Sequence, residues 1–240
     1  MRGNLLDAVY PTCCELCDRP LQGARCLCDE CKARLPRLRE PFCETCGESF
    51  PGNIDEAFTC PNCRHLTFAF RFARPAMVMD EATRGLILRL KYGREIHLAA
   101  ELGRLACEAF ADERLAEAQR ARWPLVPVPL HPSRMRTRHF NQAHELAMAV
   151  SAEIGLPVVS ALKRIRATGT QTTLTRKERL ENLKGAFALT RAGRRMLGKK
   201  PASVILIDDV LTTGSTLHEC ARTLVAAGVP DALAVTVMRG

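Results

Sequence analysis

Apolar residues recur at helical spacing in 80–91 (DEATRGLILRLK), in 95–118 and in 140–155 (FNQAHELAMAVSAEIG), the last closing on Gly155. Between and after them lie short apolar runs: LVPVPL (125–130), bounded by prolines, SVILI (203–207) and ALAVTVM (232–238). A further helical pattern, 215–227, stops at Gly228. Strands alternating with helices predict a parallel sheet with helices packed on its faces. Ligands of such sheets bind beyond the carboxyl ends of the strands, where PVPLHPSR and DDVLTTGST both fall.

The second of those strand ends reads VILIDDVLTTGST over 204–216. Two adjacent carboxylates repel, and a run of threonine, glycine and serine forms little core, so the stretch suits a ligand better than a packed interior. Thr212, Thr213, Gly214, Ser215 and Thr216 lead directly into a helix, which predicts a phosphate cradle of hydroxyls and backbone N–H groups. Asp208 and Asp209 can accept hydrogen bonds from sugar hydroxyls, directly or through a bound Mg2+. Phosphate beside paired hydroxyls describes a phosphosugar. No G-x-x-x-x-G-K-[ST] occurs, so this is not a Walker loop.

The amino-terminal quarter follows other rules. Ten of the 12 cysteines precede residue 64, and eight form C-x-x-C pairs: Cys14/Cys17, Cys28/Cys31, Cys43/Cys46 and Cys60/Cys63. Two thiolates at this spacing fit one tight turn, and two such turns supply a tetrahedral zinc site. Four pairs therefore predict two structural zinc ions. Sequential pairing is the simplest, while spacing leaves an interleaved one open. Cys13 and Cys26, each close to a pair, blur the ligand assignment; Cys107 and Cys220 fall on apolar helical faces and read as core. Disulfides are the competing reading, but MRGNLLDAVYPTCC carries Asp7 where a signal peptide needs an apolar stretch. A cytoplasmic protein with reduced thiols is expected. No apolar run approaches the roughly 20 residues that span a bilayer, so no membrane insertion is expected.

Charge separates the two parts further. The formal net charge is +9. Residues 1–75 balance at 10 Lys/Arg against 10 Asp/Glu, whereas 122–200 hold 16 against 4. That excess suits a polyanion, either a phosphorylated small molecule or nucleic acid. Only 5% of residues are aromatic, which weakens a base-stacking mode of single-strand binding.

VILIDDVLTTGST resembles the phosphoribosyl pyrophosphate (PRPP) motif of type I phosphoribosyltransferases. Nearly the whole chain resembles the ComF family, named for competence protein F of natural transformation. The C-x-x-C pairs, LKYG (90–93), VPVPLHPSRMRTRHFNQA (126–143), RIRATGTQTTLTRKERLENLKGAF (164–187) and the PRPP motif match in order. His139 departs from the family, which usually has Gly in an R-G-F-N-Q run, and Asp80 lies near where the family often has Tyr. The resemblance implies a Rossmann-like parallel sheet with flanking helices over 71–240, behind a small double zinc-ribbon domain over 1–70.

The resemblance also implies roles. Asp208 and Asp209 would hold the ribose hydroxyls and carry catalysis, Thr212 to Thr216 the 5-phosphate, and Arg134 the pyrophosphate. The 164–182 segment would form a mobile cover, with Arg164, Arg166, Gln171, Arg179 and Asn182 as contacts. Hypoxanthine-type relatives carry an acid at the position of Thr212, which cannot serve as that base; orotate-type relatives carry Thr there. Three readings stay open: transfer of ribose 5-phosphate from PRPP with Mg2+ to an acceptor, a PRPP-responsive binder of single-stranded DNA working with DNA-uptake proteins, and a regulator that binds PRPP without turnover.

Two complete thiolate tetrahedra predict a zinc-to-protein ratio near two in protein purified without chelator, measured by elemental analysis. A ratio near one would leave one cluster degenerate, and zero would exclude the reading.

Overall fold

The computed structural model describes residues 12–23, 25–52, 57–167, 176–198 and 203–240, without the side chains of 176, 177 and 179. Its centre is a four-stranded parallel sheet in the order β1-β6-β5-β2, built from β1 (Ala73–Val78), β2 (Leu125–Pro127), β5 (Val204–Leu211) and β6 (Ala232–Arg239). Every residue of β6 is buried, as expected for a strand covered on both faces. A two-stranded antiparallel hairpin, β3 (Leu162–Arg164) with β4 (Phe187–Leu189), stands apart from it. The type I phosphoribosyltransferase-like fold expected from the sequence is thus present, with two cysteine clusters at its amino-terminal side.

Within the ribbons two short helices, α1 (Asp29–Arg34) and α2 (Pro61–Arg64), follow Cys28 and Cys60. Along the sheet run α3 (Glu81–Tyr92) and α4 (Leu98–Ala106), then two 3-10 turns and α5 (Ala116–Arg120). They are followed by α6 (Pro132–Arg138), α7 (Gln142–Ile154), α8 (Arg176–Leu183), α9 (Arg191–Leu197) and α10 (Ser215–Ala226). Asp80 caps α3 through a reciprocal box with Thr83, donating and accepting at 2.8 Å, so the departure from the family's Tyr supplies a helix start. At Gly103 a Cβ would stand 2.3 Å from that of Ala149, so the glycine lets α4 and α7 touch backbone to side chain.

Three sequence expectations change. The 95–118 stretch is not one helix, because the Asp112 carboxylate accepts the Arg114 N–H at 3.0 Å and pairs with Arg74 at 3.1 Å. A side chain that binds nearby backbone in this way competes with helix propagation. The change of pattern around Arg64–Arg74 predicts a linker, but Phe70 and Phe72 are buried and β1 begins at Ala73. The outer edge of β1 is covered by residues 36–38, which link the ribbons, through Leu38 N–H to Ala76 O (3.0 Å) and Val78 N–H to Pro36 O (2.9 Å). Finally, β5 runs on through Leu211, paired with Arg239, so Asp208 and Asp209 lie inside the strand and not beyond it.

The family's Gly at position 139 also finds its reason. His139 ends α6 in the left-handed region, at φ 68°, with its side chain exposed. A side chain there is strained, and glycine is the usual residue at such a helix end. His139→Gly is expected to stabilise the protein by about 1 kcal/mol in urea denaturation. A loss of stability would mean that the imidazole makes a contact worth more than the strain.

Candidate functional site

Asp208 opposes Thr236 across the β5–β6 ladder, which brings both aspartates to the carboxyl end of the sheet beside the end of β2. They are not equivalent. Asp209 is 3% exposed; its Oδ1 accepts the Val210 N–H at 2.8 Å and its Oδ2 lies 2.7 Å from Lys91 Nζ. Asp208 is half-buried, and its Oδ1 accepts the Asp209 N–H at 2.9 Å. Burial, followed by the adjacent Asp209 charge, pushes the Asp208 carboxyl up to about 8, with Lys91 opposing. Asp208 is therefore the more exposed member of the pair, and Asp209 is the one held by a cation.

The cleft above them encloses about 320 Å3. Thr212, Thr216, Arg134 and Arg164 share its lining with the two aspartates, so three segments distant in sequence converge. Gly214, at φ 77°, turns the chain into α10, and the Thr213 and Ser215 hydroxyls lie 2.9 Å apart. Ser215 is buried, so Thr212 and Thr216 are the hydroxyls of this loop that reach the cleft. A helix start with hydroxyls and backbone donors suits an anion.

The remaining predicted contacts divide. Arg164 is buried at the end of β3, 5.5 Å from the centre of the Phe187 ring, and lines the cleft. Arg166 donates to the carbonyls of Asn182 (2.7 Å) and Lys184 (2.9 Å), tying the hairpin's two sides, and neither Arg166 nor Asn182 lines the cleft. Arg179 lies on α8 with its side chain outside the described residues, and Gln171 lies outside them altogether.

Sequence reasoning missed the wall supplied by α3 and α6. Lys91 and Tyr92 come from LKYG, and Arg138 and Gln142 from the RTRHFNQ run; of these the sequence offers only Tyr92, as an aromatic near basic residues that could stack on a base. Buried Arg138 donates to Gln142 Oε1 at 3.0 Å and stands 4.9 Å from the centre of the exposed Tyr92 ring. A larger hollow of about 780 Å3 lies by Phe42 and Arg74. Its wall has five carboxylates against three arginines and no glycine-hydroxyl loop, so it suits an anion poorly.

The cysteines form two clusters, Cys14/Cys17/Cys28/Cys31 and Cys43/Cys46/Cys60/Cys63, with the sulfurs of each within 4.8 Å of one another. Sequential pairing is therefore the one adopted, and Cys13 and Cys26 stand outside both sets. Backbone N–H groups of Cys28 and Cys60 point at the sulfurs of Cys14 (3.4 Å) and Cys43 (3.3 Å), which favours thiolates. Burial pushes the Cys14 thiol up, but donors from Cys28, Leu16 and Cys17 outweigh it and bring it down to about 6. The sets fit structural zinc in number, chemistry and closure. Cys220 is buried as expected, and Cys107 is half-buried, donating to the Gly103 carbonyl at 3.3 Å.

The Asp208 environment has a pH signature. A carboxyl whose folded pKa is raised costs nothing below its ordinary value, and the cost grows as pH climbs toward the raised one. Without divalent cation, the melting temperature gained by Asp208→Asn should be larger at pH 8 than at pH 4.5. An equal or smaller gain at pH 8 would contradict the described burial.

Among the described residues no helix is long and apolar enough to cross a membrane. The double zinc ribbon family model matches residues 5–64, and the phosphoribosyl transferase domain model matches 141–240. The chain is 33% identical to the DNA utilization protein YhgH of Escherichia coli K12, over 91% of this chain and 92% of that protein. It is 29% identical to Competence protein F of Haemophilus influenzae, over 85% and 86% of the two chains. Competence protein ComFC of Streptococcus pneumoniae is 24% identical over 89% and 88%. With these relatives matched along almost their full length, a phosphoribosyltransferase-like sheet and two zinc-ribbon clusters, the chain belongs to the ComF family.

Proposed function

We propose that the cleft binds PRPP with Mg2+ and that the chain transfers its ribose 5-phosphate to an acceptor, in the service of DNA uptake or use. One observation carries this reading: a half-buried carboxylate, the Thr212 and Thr216 hydroxyls and four arginines line a single cleft at the carboxyl end of a parallel sheet. Asp208 would accept from a ribose hydroxyl. The Thr212–Thr216 loop and the start of α10 would donate to the 5-phosphate, and Arg134 with Lys91 would face the pyrophosphate. In transfer, the bond from ribose C1 to the pyrophosphate oxygen breaks, a bond from C1 to the nucleophile forms, and pyrophosphate leaves. The chain's contribution is positioned charge around a cationic sugar and a leaving anion. Mg2+ would add charge neutralisation at the pyrophosphate.

A second reading, a PRPP-responsive binder of single-stranded DNA, draws on the surface. Exposed Arg134, Arg136, Arg191 and Arg195 make no ion pair with any described residue. Unpaired arginines are available to phosphates. The relatives' names, competence and DNA utilization, accord with either reading.

A ligand that binds only the folded state raises its melting temperature. PRPP with Mg2+ is therefore expected to stabilise the wild type, and the pair Asp208→Asn with Asp209→Asn to lose that response. Each protein is compared with its own ligand-free melting temperature, because Asp209→Asn also gives up the Lys91 ion pair. The measurement is a thermal-shift titration with and without Mg2+. An equal shift in the double variant would remove the aspartates from the sugar site. No shift in the wild type at millimolar PRPP would give the DNA-binding reading the lead.

A further inference from the structure

The sheet has two faces, and each continues into one zinc ribbon. Cys14, Cys28 and Cys31 share a hydrophobic cluster with Leu86 and Leu90 of α3. Cys43, Cys46, Cys60 and Cys63 share the other with Phe70, Leu211 of β5 and Leu217 of α10. The ribbons are thus built into the core on the two sides of the cleft.

Polar contacts carry each ribbon to a different part of that cleft. Glu15 lies in the turn between Cys14 and Cys17. Arg89 of α3 donates to its carbonyl at 3.0 Å, pairs with its carboxylate, and also binds Glu95 Oε1 at 2.9 Å. Lys91 follows two residues later, about 200° around the helix, and its ammonium meets Asp209 at 2.7 Å. One helix thus has the first ribbon on one side and the acid pair on the other. From the second ribbon the chain leaves Cys63 and reaches Phe68, which stacks on Phe70 with ring centres 4.6 Å apart. The Ala69 N–H donates to His218 Nδ1 of α10 at 3.1 Å. Phe68 covers Gly214 so closely that a Cβ there would meet its Cε1 at 3.0 Å.

We propose that the two zinc ribbons are positioning elements for the cleft, the first holding Asp209 through Arg89 and Lys91, the second holding the Gly214 loop through Phe68 and Ala69. The inference rests on the proposed PRPP site for its ligand, but the bracing itself is a property of the ligand-free chain. It gives the ribbons a role inside the site, and it makes phosphosugar binding and zinc retention mutually dependent, because coupling between two sites is reciprocal.

The test uses full-length zinc-loaded protein: wild type, Arg89→Met, Phe68→Ala and the conservative Phe68→Leu. Hydrogen exchange is read first, without ligand. Phe68→Ala should exchange faster at 212–218 and Phe68→Leu should recover most of the protection, while Arg89→Met should exchange faster at 88–92. Zinc transfer to the chelator 4-(2-pyridylazo)resorcinol is read second. PRPP with Mg2+ should slow it about fivefold or more in wild type. Arg89→Met should lose the slowing for one of the two zinc ions, and Phe68→Ala for the other. The Asp208→Asn, Asp209→Asn protein corrects for zinc taken up by PRPP itself. A merely structural role for Phe68 or Arg89 would speed exchange everywhere and leave both zinc ions protected alike. Unchanged local exchange in both variants overturns the proposal whatever PRPP does. Faster local exchange with no PRPP effect in wild type upholds the bracing and brings down the PRPP reading instead.

Discussion

Two carboxylates on consecutive residues of a buried strand repel one another, and the site is arranged around that repulsion. Lys91 meets Asp209 at 2.7 Å, and backbone N–H groups bind one oxygen of each aspartate. Asp208 has no cation of its own among the described residues, and its burial, followed by the Asp209 charge beside it, pushes its carboxyl up. Such a pair survives in a folded protein where something else gains from it. Here the proposed gain is recognition of a ligand that brings hydroxyl donors and cationic charge together. The cleft is an incomplete electrostatic arrangement that a phosphosugar with its metal would complete.

Holding such a pair in place requires a stiff frame. The fully buried β6 fixes the depth of β5, α3 delivers Lys91 to Asp209, and Phe68 closes over the Gly214 loop. So short a cysteine-rich stretch buries little apolar surface of its own, so metal binding would supply its folding energy. Its covering of the β1 edge by residues 36–38 adds a second reason for its presence: without it the sheet would end on open backbone.

Much of this was legible in the sequence because it rests on local chemistry. The eight zinc ligands follow from C-x-x-C spacing, though their division into two sets came only from the fold, and the hydroxyl-glycine loop follows from residues that are adjacent in the chain. What was missed depends on partners far away. Lys91 and Asp209 lie more than a hundred positions apart, so no spacing links them. Strand β1, ARPAMV, hid behind Arg74 and Pro75, which look like loop residues until an edge position next to the ribbons accommodates them. The aspartates read as the end of β5, yet pairing with β6 carries the strand three residues past the first of them. Residues 95–118 kept a helical pattern, but Asp112 had its own uses for nearby donors.

The most direct measurement is a crystal structure of the protein soaked with PRPP and Mg2+. The account predicts the ribose hydroxyls at Asp208, the 5-phosphate at the Thr212–Thr216 loop, and the pyrophosphate between Lys91 and Arg134. Ligand density elsewhere, or an Asp208 oxygen left facing empty solvent while PRPP sits along the outer arginines of α6 and α9, would contradict it.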